Sequence, residues 1–140
     1  MSTAIFSDIN WLAVLVAAVA FFILGAIWYS FLFRNSWIKL TGVKMDDPNA
    51  KKGVAGIMFT SFLLIFICTV GLALFLSKAN APLSWMSGAK VGLVAGVCFC
   101  ATAICNSYLY EKRPLGLHLI NSGYNVAGCV IAGIILAIWK

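Results

Sequence analysis

Four stretches of this chain carry no formal charge, and each is long enough to cross a lipid bilayer. Residues 9–33 and 53–77 make 25 residues apiece, residues 91–110 make 20, and residues 114–139 make 26. A hydrocarbon core about 30 Å thick needs roughly 20 apolar residues at about 1.5 Å of rise each. Strands of a membrane barrel would be about ten residues of alternating polarity, a pattern these runs lack. The stretches predict an all-α integral membrane four-helix bundle with short loops. It forms a single four-span domain over residues 1–140, with spans at about 9–33, 53–77, 88–110 and 114–139. Composition closes off the alternatives: 63% of the 140 residues are hydrophobic and 10% are charged. A soluble domain carries roughly 45–50% and 25%, so a water-soluble enzyme is excluded. Disorder, which needs low hydrophobicity and high charge, is excluded with it. The first stretch lacks a basic leader and is too long for a signal-peptide core, so it reads as a retained anchor.

Charge then orients the spans. Lys78, Lys90 and Lys140 fall on the side shared by both termini, whereas Arg34, Lys39, Lys44, Lys51, Lys52, Lys112 and Arg113 fall on the other. The positive-inside rule makes the second side cytoplasmic, placing both termini outside the cell (inner) membrane. Trp11, Trp85 and Trp139 mark the outer interface, and Trp28 and Trp37 the inner one. The net charge of +6 fits anionic lipid headgroups at the basic loops, and no soluble basic face exists for nucleic acid.

The only long polar segment is the first loop, at about residues 34–52. Met45-Asp46-Asp47-Pro48 has the pattern of a helix start, with Asp as cap and Pro in the first turn. The second span should therefore begin inside this loop. Ser36 to Leu40 reads as a short interfacial helix with Trp37 and Ile38 toward lipid. Glu111-Lys112-Arg113-Pro114 is so short that the third and fourth spans must be antiparallel neighbours.

Polar and small residues within the spans carry what functional information there is. Glycines at 88, 92 and 96 form a small-xxx-small series that lets helix backbones approach closely. At regular α-helical spacing Gly88, Gly92, Ala95, Thr102, Ala103, Asn106 and Tyr110 share one face. In the fourth span His118, Asn121, Ser122 and Asn125 follow the i, i+3, i+4, i+7 pattern and share a stripe. Tyr29 and Ser30 of the first span, and Asn106 and Tyr110 of the third, lie at comparable inner depth. This cluster is either an interhelical hydrogen-bond network or the lining of a polar cavity. Histidine is the side chain whose ordinary range lies nearest neutrality, and His118 sits one turn from the interface.

Catalytic chemistry finds no foothold. No carboxylate lies within a span, and Ser30 with His118 lacks an orienting acid. The cysteines at 68, 98, 100, 105 and 129 have no CxxC or Cys/His spacing, so no metal and no cofactor are expected and they read as small core residues. The aromatic-then-basic endings at Ser30-Phe31-Leu32-Phe33-Arg34 and Ser107-Tyr108-Leu109-Tyr110-Glu111-Lys112-Arg113 admit two readings: a parallel two-plus-two repeat, or the ordinary look of an inner interface.

Asn10-Trp11, Gly25-Ala26-Ile27-Trp28-Tyr29-Ser30 with Trp37 following, and Arg113-Pro114 leading to Ile120-Asn121-Ser122-Gly123-Tyr124-Asn125 resemble the small four-span bacterial membrane proteins grouped as domain of unknown function 1761. The resemblance covers nearly the whole chain. Members usually have Pro after the Tyr-Ser pair, and Phe31 here should let the helix run on. The resemblance implies no activity, substrate or catalytic residue.

The sequence thus points to a non-enzymatic membrane protein acting as a binding or assembly module. It would work by self-association as a homo-oligomer or as an accessory subunit of a larger membrane complex. The alternative is an oligomeric small-solute or proton-coupled transporter using His118, Asn121, Asn125, Asn106 and Tyr29.

Overall fold

A computed structural model describes residue 7 and residues 9–41, 53–78 and 84–139. The described residues are almost entirely helical, with no strand among them. Among the described residues four helices are long and apolar enough to cross a membrane: Trp11–Leu32, Ala55–Lys78, Trp85–Glu111 and Leu115–Ile138. The chain is a multi-pass membrane protein whose fold is an all-α bundle. The helix-start pattern at Met45–Pro48, and the basic residues Lys44, Lys51, Lys52 and Lys140, lie outside the described residues.

The first span joins α1 (Trp11–Ile27) to a π-helical turn, Trp28–Leu32. Asn10 caps α1, its side-chain oxygen accepting from the Ala13 amide at 3.2 Å, which satisfies one of the orphan donors at a helix start. The Asn10 amide also donates to the Trp139 carbonyl at 3.5 Å, placing these two residues at one end of the bundle. The helix runs on through Phe31. After Phe33 the chain turns into α2 (Arg34–Thr41), which covers the short helix expected at Ser36–Leu40. Its Trp37, expected toward lipid, is half-buried, with the ring edge-on to Tyr29 at 6.0 Å.

The second span is α3 (Val54–Lys78). The third joins α4 (Trp85–Ala95), a π-helical segment (Gly96–Ala101) and α5 (Thr102–Glu111). Ser84 caps α4 through the Ser87 amide at 3.3 Å. At the end of α5 the amide of Lys112 bonds the Leu109 carbonyl, and that of Arg113 bonds the Tyr108 carbonyl. This is a Schellman closure. It places Lys112 at φ 56°, where glycine is the usual tenant. Pro114 then opens α6 (Leu115–Ile138), the fourth span.

α6 is the hub, packing against α1, α3 and most extensively α4. In lipid the hydrophobic effect gives helices no reason to associate, so close backbone approach and dispersion must hold them. Small residues supply that approach. A Cβ on Gly88 would fall against the Gly133 backbone, and one on Gly92 against that of Cys129 and Val130. One on Gly96 would lie 2.8 Å from Val126 Cα. On the other side of α6, Gly128 receives the Phe21 ring. Phe21, Leu72, Val14, Thr69 and Cys129 are the largest fully buried side chains.

Candidate functional site: a polar network at one end of the bundle

α6 is an uninterrupted α-helix, so its i, i+3, i+4, i+7 stripe faces where regular spacing puts it. His118 is 8% exposed, and Asn121, Ser122 and Asn125 are half-buried. Tyr29 donates to Asn121 Oδ1 at 2.5 Å. The Asn121 amide donates to the Tyr108 hydroxyl at 2.6 Å. Tyr108 in turn stands edge-on to the His118 ring, with centroids 5.3 Å apart. One asparagine thus ties the first, third and fourth spans together. Trp28 reinforces the joint by donating its indole N–H to the Ile120 carbonyl at 3.0 Å. Tyr124 donates to the Phe21 carbonyl at 3.3 Å and packs edge-on to both Phe21 and Tyr29.

Other expected members stand elsewhere. Asn125 donates to the Asn121 carbonyl at 2.8 Å within its own helix, so it links no second span. Ser122 pairs with Cys105 Sγ at 3.4 Å. Ser30 is exposed, because the π-helical turn that aims Tyr29 and Trp28 inward leaves it outside. Asn106 is exposed and Tyr110 is 85% exposed, so neither belongs to the network and neither shares the packed face of Gly88 and Gly92. Thr102 and Ala103, placed on that same face by regular spacing, are exposed as well.

The cause is the π-helical segment at Gly96–Ala101. On an α-helix, steps of four residues drift by about 40°, because each residue turns about 100°. Wider π turns absorb that drift. The inward series in the third span is Gly88, Gly92, Gly96, Cys100, Ile104 and Tyr108, all buried or half-buried. Tyr108 and Cys105 therefore occupy the places regular spacing gave to neighbouring residues. Gly88 and Gly92 lie on the regular α4, so the glycine step gives no sign of the wider turns that follow at Gly96–Ala101.

The same rotation gathers thiols. Cys100 Sγ lies 3.9 Å from Cys129 Sγ, and with Cys68 the three sulfurs lie within 4.8 Å of one another. They come from three different spans, so no local spacing encodes the group. Cys98 is exposed, and the expectation that all five cysteines fill the core fails for it.

Chemically, the Tyr29–Asn121–Tyr108 network is a set of neutral donors and acceptors that satisfy one another. It holds no carboxylate and no nucleophile beside a base. Its strength is orientational: in a low-dielectric interior each interhelical bond contributes about 0.6–2 kcal/mol and fixes the register of the helices it joins.

A family model described as protein of unknown function (DUF1761) matches residues 12–137. No curated protein matches the chain, and no solved structure does either. The matched residues take in all but the first and last residue of the four spans, with the Tyr29–Asn121–Tyr108 network and the three convergent thiols, and the chain belongs to the DUF1761 family.

Proposed function

We infer that the chain is a non-enzymatic assembly module of the cell (inner) membrane. It joins a second copy of itself or another membrane subunit through the outward face of α5. Asn106 carries this reading. It lies five residues before the end of α5, exposed, and no hydrogen bond reaches its side chain among the described residues. An amide facing hydrocarbon without a partner is costly, and a neighbouring helix that supplies one is the usual remedy. Ala103, Asn106, Ser107 and Tyr110, all exposed, follow the i, i+3, i+4, i+7 pattern of a helix-docking stripe. The inner part of α3 adds to the opening. Residues 55–60 are all exposed, and Gly56, Thr60 and Ser61 line an open groove of about 560 Å³.

The basic side of the bundle is assigned to the cytoplasm, with both termini outside, because seven of its ten Lys and Arg residues lie there. Anionic headgroups would gather at Arg34, Lys39, Lys112 and Arg113. The transporter alternative draws less support. Asn121 and Tyr29 are bonded to each other, Asn125 to its own helix, and Asn106 points away from them. Asn106→Leu tests assembly. An interhelical amide bond of about 0.6–2 kcal/mol makes association roughly 3- to 30-fold weaker in the variant, read as the fraction of complex on gel filtration in mild detergent. Unchanged association would remove Asn106 from any interface.

A further inference from the structure

Cys68, Cys100 and Cys129 present three sulfurs to one point from α3, the π-helical segment and α6. Cys68 lies ten residues before Lys78 and Cys129 nine before Ile138, so both stand about 14–15 Å of helix below one membrane face. That is close to the midplane of a core about 30 Å thick. We propose that these three thiols form a trigonal site for a soft monovalent metal ion, of which Cu(I) is the representative.

Geometry comes first. Three sulfurs about 2.3 Å from a central ion lie about 4.0 Å from one another when the ion sits in their plane. Cys100 and Cys129 are already 3.9 Å apart, and all three sulfurs are within 4.8 Å. The fold holds the pair in place. Gly92 and Gly96 bring the third span against Cys129, and the π-helical turns direct Cys100 inward while Phe99 stacks on Phe75 at 6.2 Å. Cys129 is fully buried in the core cluster, where Tyr124 also packs.

Ligand chemistry then selects the ion. The group contains only sulfur, which favours Cu(I) and other soft ions over oxygen-seeking ones. Zinc takes a fourth ligand almost without exception. The neighbouring hydroxyls of Thr69 and Tyr124 are already bonded to the Phe66 and Phe21 carbonyls. A net charge inside the bilayer is expensive. The thiolate rather than the thiol binds a metal, so binding releases a proton from each ligating sulfur and the ion offsets part of the charge so formed. A cavity of about 290 Å³ lined by Asn10, Ala13, Ala73, Ser77, Leu136 and Trp139 opens at the end of the bundle nearest the site. Cys129 lies seven residues along α6 from Leu136, about 10 Å of helix.

The test is an anaerobic titration of the reduced, purified full chain in detergent micelles with Cu(I), against a chromogenic Cu(I) chelator. The expected result is one Cu(I) retained per chain, with near-ultraviolet thiolate-to-copper absorption. Cys68→Ser, Cys100→Ser and Cys129→Ser should each weaken retention by at least about tenfold, the lower bound for disturbing even a supporting group of a metal site. Cys98→Ser should match the parent. X-ray absorption on the copper-loaded parent, which needs no variant to fold, should find three sulfurs at about 2.3 Å. Failure of the parent to retain Cu(I), oxygen or nitrogen ligands in the absorption data, equal loss in Cys98→Ser, or displacement by equimolar Zn(II) would each overturn the assignment.

Discussion

Replacing Gly92 with Ala measures what holds the bundle together, provided Gly71→Ala is measured beside it. Both glycines sit inside helices, and alanine improves helix propensity at either by up to about 1 kcal/mol. Only their surroundings differ. At Gly71 a Cβ meets nothing within 4 Å. At Gly92 it lies 2.7 Å from the Cys129 carbonyl carbon and from Val130 Cα, where ordinary contact begins at about 3.4 Å. The Cys129 carbonyl oxygen lies closer still; all of these atoms are backbone and cannot rotate aside, so the helix axes must part by at least about 0.7 Å. A gap of about 0.5–1 Å forfeits roughly a quarter to a half of a dispersion contact. Overpacking of this kind costs about 1–3 kcal/mol, and it falls on the most extensive interface in the fold. The shared propensity gain cancels in the comparison. Gly71→Ala should be neutral or up to about 1 kcal/mol more stable than the parent. Gly92→Ala should lie about 1–3 kcal/mol below Gly71→Ala. Unfolding in mixed micelles of rising denaturing-detergent fraction, followed by circular dichroism, reads both. If the two variants unfold within about 0.5 kcal/mol of each other, the span of ordinary surface changes, close backbone packing does not hold the third span to the fourth.

Tyr29→Phe removes the donor to Asn121 while keeping the ring, and should cost about 0.6–2 kcal/mol in the same unfolding assay. Ser30→Ala, one position along and exposed, should stay within about 0.5 kcal/mol; equal losses would dissolve the network as a structural element. Topology is read by labelling single cysteines from outside intact cells with a membrane-impermeant maleimide, native cysteines removed. Lys78→Cys should react and Lys44→Cys should not, and the reverse pattern inverts the bundle.

What the sequence disclosed depended on whether each signal was local. The four spans follow from charge spacing, which needs no tertiary information, and the helix boundaries agree with it to within a few residues. The α6 stripe was readable because that helix keeps one period throughout, so Asn121 and His118 turn inward as their spacing requires. In the third span the π-helical segment changes the period midway. Regular spacing therefore sent Asn106 and Tyr110 inward and missed Tyr108. Trp37 was legible as an interfacial ring, but only the fold reveals Tyr29 beside it. The three thiols belong to three spans, and only the packing of those spans discloses their meeting.

We propose that this bundle is built to join another membrane polypeptide. Native mass spectrometry of the tagged chain, released from its own membrane in mild detergent, tests this most directly. A discrete complex, either a fixed number of copies or one copy with other subunits, is the predicted result. A bare single chain at every detergent concentration that preserves its helices would contradict it, and the unpartnered amide of Asn106 would then be a cost the monomer simply bears.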